Sequence, residues 1–358
     1  MISISSPKIG LKERLAVDKV LRSGNLAQGT EVYEFEGEFA EYHENRNCVA
    51  VNSGTSALHL SLLASGVTFG DEVIVPSFTF AATANAVMLV GAKPVFVDID
   101  PATFNIDISA IKAALTPRTV AIQPVHLYGL PANMPEILDL AQKNNLLVFE
   151  DAAQSHLASI NNKNIGTFGD CASFSFYPTK NMTSGEGGMI VANSKEIAKK
   201  CRILRNQGME RKYENEVVGF NLRMTDIHAA IGRVQLRRLP SFTKKRIKIA
   251  EFYNENLKGV VTPFVPEGYK HVYHQYTVRV VDEDRDKFAK ELQRRGIPSG
   301  VYYPIPVHHL PSFNLTNELP ATNLACSQVL SLPIHPGLSQ RQTERVVQIV
   351  NQVARAGA

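Results

Sequence analysis

The sequence predicts an α/β protein: a mostly parallel central sheet with helices on both faces, followed by a smaller C-terminal α+β domain. From about residue 47, short and wholly apolar segments alternate with helix-like segments. Strands that are apolar throughout are typical of parallel sheets covered on both faces. After about residue 240 the pattern changes to amphipathic helices with fewer strands, and 358 residues exceed one typical domain length. We therefore predict a large domain over residues 1–240 and a small domain over residues 241–358.

The individual elements follow from the local pattern in chain order. Apolar runs predict strands at residues 48–51, 72–76, 94–98, 120–124, 146–150 and 172–176. Helix-like segments lie between the earlier of these strands, at residues 55–63, 81–90 and 109–115. In the small domain the pattern predicts helices at residues 243–257, 284–295 and 339–354, and a strand at 276–280. Strands separated by helices in this way give layers of helix, sheet and helix.

The composition argues against several classes of protein. A net charge of +4, from 38 basic and 34 acidic residues, is a small excess for a dedicated nucleic-acid binder. The four cysteines show no Cys-x-x-Cys pair, so we expect neither disulfides nor a metal site, and free thiols suit a reducing cytoplasm. The N-terminus lacks the apolar core of a signal peptide. The most apolar stretch, residues 80–92, is broken by Thr83 and Asn85 and is too short to span a bilayer. We expect a cytoplasmic protein that binds neither nucleic acid nor membrane.

Polar residues follow two of the predicted strands, where open α/β sheets bind their ligands. Residues 52–56, with the sequence Asn-Ser-Gly-Thr-Ser, lie between a strand and a helix N-terminus. Backbone N–H groups and hydroxyls there favour a phosphate, although a simple Ser/Thr helix cap fits equally well. Asp151 follows the apolar run 146–149, so its carboxylate needs a cation or hydrogen-bond donors unless it only caps a helix.

Two further strand ends carry a lysine and an aromatic ring. Lys180 lies between a predicted strand and the glycine-rich segment 185–188. Apolar surroundings would lower the pKa of its amine, which suits a nucleophile, whereas an ordinary loop lysine is solvated. Phe80 begins a predicted helix. Its ring has two alternative roles there: stacking on a planar ligand, or packing in the core. A phosphate cradle, an aromatic ring, a carboxylate and a lysine in this order are the parts that a pyridoxal-phosphate site needs.

Four ordered motifs make this interpretation specific. They are Ser-Gly-Thr-Ser-Ala-Leu at 53–58, Glu-Asp-Ala-Ala-Gln at 150–154, Ser-Phe-Tyr-Pro-Thr-Lys-Asn at 175–181, and Gly-Phe-Asn-Leu-Arg-Met-Thr-Asp-Ile at 219–227. With them the chain resembles the DegT/DnrJ/EryC1/StrS family of sugar aminotransferases, which are fold type I pyridoxal-phosphate enzymes. The resemblance covers almost the whole chain. His228 departs from it, since the family commonly has glutamine there.

The resemblance implies a role for each matching residue. Lys180 is the Schiff-base lysine and Asp151 the partner of the pyridine nitrogen. Gln154 contacts the ring hydroxyl and Phe80 stacks on the ring. The phosphate is held around Gly54 by residues from two segments: Thr55, Ser56 and Ser175. Asn221 reaches the phosphate of a neighbouring subunit, which implies a homodimer with shared active sites.

The substrates are also implied by the resemblance. The amino donor is expected to be glutamate and the acceptor a nucleotide-linked keto-sugar, with the ketone at C3 or C4 left open. Residues 300–309 resemble a sugar-binding loop, in which Tyr302 and His308 would bond hydroxyls or the diphosphate, unless this proline-shaped loop only packs locally. His156 would meet the sugar or fill the rim of the site.

Two alternatives stay open at this point. Sugar dehydratases on the same scaffold carry histidine where this chain has Lys180, so the lysine argues against that activity. A regulatory or binding protein without cofactor would be expected to lose Lys180, Asp151 or the phosphate loop, and all three are present.

Overall fold

The computed structural model describes residues 2–357, and the side chains of residues 2–355. The described α-helices are α1 Leu11–Ser23, α2 Thr30–Ala40, α3 Gly54–Ala64, α4 Ala82–Leu89, α5 Ile108–Ala114, α6 Met134–Lys143, α7 Lys195–Arg205, α8 Asp226–Asn256, α9 Arg285–Arg294, α10 Pro320–Gln328 and α11 Gln340–Gly357. The described strands are β1 Asn47–Val51, β2 Glu72–Pro76, β3 Lys93–Val97, β4 Thr119–Ile122, β5 Leu147–Asp151, β6 Ser159–Ile160, β7 Lys163–Asn164, β8 Cys171–Ser175, β9 Gly188–Ala192, β10 Met209–Arg211, β11 Glu214–Asn215, β12 Tyr269–Lys270, β13 Tyr276–Arg279 and β14 Val329–Leu332.

The central sheet has seven strands in the order β1-β9-β8-β5-β4-β2-β3. The pairs from β8 to β3 are parallel, whereas β9 runs antiparallel to both β8 and β1. The predicted class, a mostly parallel sheet between helices, is therefore confirmed. Each predicted strand and helix of the large domain is present within two residues of its predicted bounds.

Both faces of the sheet are buried, because successive side chains of each strand enter different cores. On β5, Val148 belongs to the core that contains α2, α5 and α6, and Phe149 belongs to the core that contains α3, α4 and α7. This explains why these strands are apolar at nearly every position. The cysteines fit the same pattern, since all four are buried and free.

The C-terminal third packs around a third core, which joins α8, α9, α11, β13 and β14. Ile2, from the opposite end of the chain, is buried in this core as well. Helix α8 is the main difference from the prediction, since a single helix of 31 residues begins at Asp226 rather than at residue 243. Pro240 lies inside this helix, so the predicted boundary at residue 240 falls within one rigid element. The division into domains remains a prediction.

No helix within residues 2–357 combines the length and the apolarity needed to cross a membrane.

Candidate active site

A cavity of about 620 Å³ opens at the carboxyl ends of β2, β5 and β8. This is the edge at which the sequence predicted a ligand, and the volume is in the usual range for a small-molecule site. The predicted residues that line it are Gly54, Thr55, Phe80, Asp151, Gln154, Ser175, Lys180 and Tyr302. The structure thus brings together residues that lie more than 200 positions apart in the sequence.

Asp151 is the last residue of β5 and is 5% exposed. Its carboxylate accepts hydrogen bonds from the Thr83 hydroxyl (2.8 Å) and from the Ala153 N–H (3.1 Å). Burial raises the pKa of this carboxyl, although these two donors and the Lys180 amine act in the opposite direction. A buried carboxylate with so few donors is suited to a cationic ligand.

Lys180 lies in the loop between β8 and β9, and its side chain lines the same cavity. The loop is fixed at Phe176, whose backbone bonds to Gly187 (2.9 Å) and Ser184 (3.0 Å). Burial lowers the pKa of the Lys180 amine to about 8, while the charge of Asp151 acts to raise it. This direction agrees with the lowered pKa expected from the sequence, and with such a pKa a sizeable fraction of the amine is neutral near pH 8.

The segment that the sequence predicts as a phosphate cradle lies where α3 begins against the end of β8. A Cβ on Gly54 would lie 2.7 Å from Cβ of Ser175, so only glycine allows this approach. Ser53 caps the helix by accepting the N–H of Ser56 (3.1 Å). The N–H groups of Gly54 and Thr55 have no acceptor among residues 2–357, which makes the helix start a ready anion site.

Ser56 and Asn221 are not brought to the cavity within one chain. The Ser56 hydroxyl donates to Oδ1 of Asn52 (2.7 Å) and contacts Oγ of Ser53 (2.9 Å), so it reinforces the cap. Asn221 is exposed and pairs with Asn206 in a short β-bridge. Its predicted contact with a neighbouring subunit remains a prediction.

An aromatic wall stands beside these groups. Phe80 is 60% exposed and its ring lies 6.1 Å from that of Tyr303, centroid to centroid. Gln154 donates from Nε2 to the Tyr303 hydroxyl (3.2 Å) and accepts the N–H of Tyr128 (2.7 Å) through Oε1. The Gln154 amide is therefore held in one orientation at the cavity wall.

Two of the three predicted sugar ligands do not reach the cavity. His156 is 1% exposed and lies against the rings of Phe174 and Phe176. His308 is fully buried, with Nδ1 2.5 Å from the Ser77 hydroxyl and Nε2 donating to the Asn317 carbonyl (2.9 Å). Neither ring lines the cavity, so the assignment of these two residues as sugar ligands has no support in this geometry. Tyr302 does line the cavity.

Several cavity residues were missed from the sequence: Thr83, Tyr303, His274 and Gln275. Thr83 had a signal, because it is one of two polar residues that interrupt the most apolar stretch of the chain. Tyr303 lies next to Tyr302, which was predicted. His274 gives no local signal, since it lies just outside the predicted strand 276–280.

The cavity therefore defines a class of protein. A carboxylate without a full set of donors, an amine of lowered pKa, an open helix N-terminus and an exposed aromatic face fit the pyridinium, aldehyde, phosphate and ring of pyridoxal phosphate. With the α/β fold, they define a fold type I pyridoxal-phosphate enzyme.

Comparison with known proteins identifies the family. Residues 7–351 match the DegT/DnrJ/EryC1/StrS aminotransferase family, to which the chain belongs. It is 41% identical to a "Pleiotropic regulatory protein" of Geobacillus stearothermophilus, covering 99% of this chain and 98% of that one. It is 42% identical to a UDP-N-acetyl-3-dehydro-alpha-D-glucosamine 3-aminotransferase of Acidithiobacillus ferrooxidans, covering 94% and 92%.

A solved structure agrees with this placement. The X-ray structure of DesV from S. venezuelae, in complex with a ketimine intermediate, superposes with a TM-score of 0.93 at 39% identity, covering 98% of this chain and 99% of that one. The family resemblance predicted from the motifs is confirmed. The chain is a pyridoxal-phosphate-dependent aminotransferase.

Proposed function

We propose that this enzyme transfers an amino group from L-glutamate to the ketone of a nucleotide-linked sugar, giving an amino-sugar nucleotide. The observation that carries the proposal is the presence of the Lys180 amine and the Asp151 carboxylate in one cavity. The named activity of the relative from Acidithiobacillus ferrooxidans supports a keto-sugar acceptor. The choice of glutamate rests on the family resemblance.

Lys180 is the group that moves the proton. When bound, pyridoxal phosphate supplies an electron sink for the carbon that loses its proton. Because burial lowers the pKa of Lys180 to about 8, its amine can take a proton from the donor and return it near neutral pH. Asp151 supplies the negative charge that keeps a ring nitrogen protonated, and Thr83 orients that carboxylate.

A homodimer completes the site in this proposal. Of the described cavity residues, Lys180 is the one with a cationic side chain, whereas Asp151 and Glu186 are acidic. The donor, the sugar nucleotide and the cofactor phosphate are all anions, so they need further positive or hydrogen-bonding groups. Asn221 is exposed. It lies beside the phosphate cradle, because the carbonyl of its neighbour Leu222 accepts the N–H of Asn52 (2.9 Å). We propose that Asn221 of the partner subunit contributes to each site.

We also propose a cytoplasmic location. The four buried free thiols support it, because a reducing compartment keeps such thiols unpaired.

Visible absorption tests the proposal directly. The purified protein with bound cofactor should be yellow, and L-glutamate should bleach it because the cofactor accepts the amino group. A panel of GDP-, UDP- and dTDP-linked sugars with the ketone at C3 or C4 should contain at least one member that restores the colour. Lys180→Ala should lack the band and both half-reactions. A wild type that binds cofactor and glutamate but is restored by no keto-sugar would contradict the proposed acceptor.

The alternative is a regulatory protein, which the name of the relative from Geobacillus stearothermophilus favours. That role predicts a colourless wild type that stays colourless with added pyridoxal phosphate. The intact pair of Lys180 and Asp151 favours the enzyme.

A further inference from the structure

The cavity has a second polar wall, made by His274 and Gln275. These residues come immediately before β13, and the Gln275 N–H donates to the Tyr128 carbonyl (3.2 Å). His274 is 7% exposed. Neither residue belongs to the cofactor-binding motifs, and both come from the C-terminal third of the chain.

Both side chains carry a buried polar atom without a partner. Nδ1 of His274 and Oε1 of Gln275 have no hydrogen-bond partner among the described residues. Leaving such an atom unpaired costs stability, so buried polar groups are normally satisfied. Both residues line the same cavity, and a ligand or a water molecule bound there would supply the partners that these two side chains lack.

Arg246 of α8 holds this wall in place. The residue is 3% exposed, and its guanidinium forms none of the ion pairs found within residues 2–357. It donates instead from one nitrogen to the carbonyls of Tyr273 (3.1 Å), His274 (3.3 Å) and Ile334 (2.9 Å). Ile334 also lines the cavity, so one buried cation joins two segments of the cavity wall.

The chemistry of the wall selects its ligand. Burial lowers the pKa of His274 well below its usual value, and the charges of Lys180 and Arg246 act in the same direction, so the imidazole is neutral. The unpaired Oε1 of Gln275 is an acceptor, and an ionised phosphate or carboxylate has no proton to donate to it. An unpaired carboxamide oxygen needs a donor, and a sugar hydroxyl both donates and accepts.

We infer that His274 and Gln275 form the subsite for the hydroxyl groups of the acceptor sugar, with Arg246 as the residue that positions them. The inference rests on the proposed function, which supplies a sugar as the second substrate. In this view the enzyme distinguishes one acceptor sugar from another at a wall that is separate from the cofactor cradle.

The two half-reactions separate this role from a general structural one. Gln275→Ala and His274→Gln are compared with wild type by the bleaching of the bound cofactor with L-glutamate, and by its recovery with the keto-sugar nucleotide that wild type accepts. One lost hydrogen bond corresponds to about tenfold. We expect the loss of kcat/KM in the sugar half-reaction to exceed that in the glutamate half-reaction at least about tenfold, mainly through KM. Arg246→Lys should weaken the sugar half-reaction in the same direction.

Gln328→Ala is the matched control. Gln328 is also a partly buried glutamine with an unpaired Oε1, but it is not among the cavity residues. The control should behave as wild type in both half-reactions. Equal losses in the two half-reactions would overturn the subsite but leave the proposed function intact. So would a Gln275→Ala variant that is as active on the sugar as wild type. A wild type that accepts no keto-sugar nucleotide would overturn the proposed function and the subsite with it.

Discussion

Two adjacent carboxylates at the end of β5 face different regions of the molecule. Glu150 is 1% exposed and accepts four hydrogen bonds, from the backbone N–H groups of Gly166, Phe168 and Gly169 and from Nε2 of His126. Asp151, 5% exposed, accepts two.

Their pKa values differ accordingly. Burial acts to raise the pKa of both, but the donors around Glu150, led by His126, hold its pKa below the usual value. The pKa of Asp151 remains raised. His126 accepts the N–H of Ala132 at Nδ1 (3.0 Å), so its own proton lies on Nε2 and points to Glu150. The comparison teaches that equal burial does not mean equal function: Glu150 is satisfied by the protein, whereas Asp151 is left for a ligand.

Asp151→Asn gives the largest expected effect. The amide keeps the shape but removes the charge opposite the ring nitrogen, and we expect kcat to fall by about 10²-fold or more. The cofactor-free protein should keep at least wild-type stability in urea, because a poorly satisfied buried charge is removed. A clear loss of stability would show that this carboxylate is structural.

Glu150→Ala should have the opposite signature. It leaves three backbone N–H groups and one imidazole without an acceptor, and we expect about 3–5 kcal/mol of lost unfolding free energy. Urea denaturation of the cofactor-free protein measures this. A variant as stable as wild type would remove the contrast between the two carboxylates.

Thr83→Val sharpens the contrast by removing one of the two donors to Asp151. A hydrogen bond to a charged group contributes about 1.5–3 kcal/mol, so kcat should fall by about tenfold or more while the fold is retained. Steady-state kinetics beside a thermal melt separates the two effects. Thr343→Val is the control, since Thr343 is a buried threonine of α11 outside the cavity.

The last expected effect is a pH dependence of the cofactor-free protein. The pKa of Lys180 is lowered from 10.5 to about 8, so between these values the unfolded state binds more protons at this residue than the folded state. Its contribution to stability therefore rises with pH from about 8 to 10.5. Lys180→Ala should lose this rise, measured as the difference between the urea midpoints of the two proteins. Parallel pH profiles would contradict the lowered pKa.

Much of the fold was predictable because local pattern and burial coincide. The bounds of the apolar strands in the parallel sheet were predicted to within two residues. A strand buried on both faces needs apolar side chains at nearly every position, so its pattern is easy to recognise. Strand β9 was not predicted, because its first residue, Gly188, belongs to the glycine-rich segment 185–188. There a Cβ would collide with the Ser53 carbonyl, a contact that no local pattern reveals.

By itself, the sequence determined the fold class and the family, and it predicted cavity residues that the structure brings together: Gly54, Phe80, Asp151, Gln154, Ser175 and Lys180. These residues lie in continuous motifs at strand ends, so their chemistry is encoded locally. Only the tertiary structure decided that His156 and His308 are buried away from the cavity and that His274 and Gln275 face it. The direction of those side chains depends on how segments about 100 residues apart pack together, for example through Arg246, and periodicity along the chain carries no information about that packing.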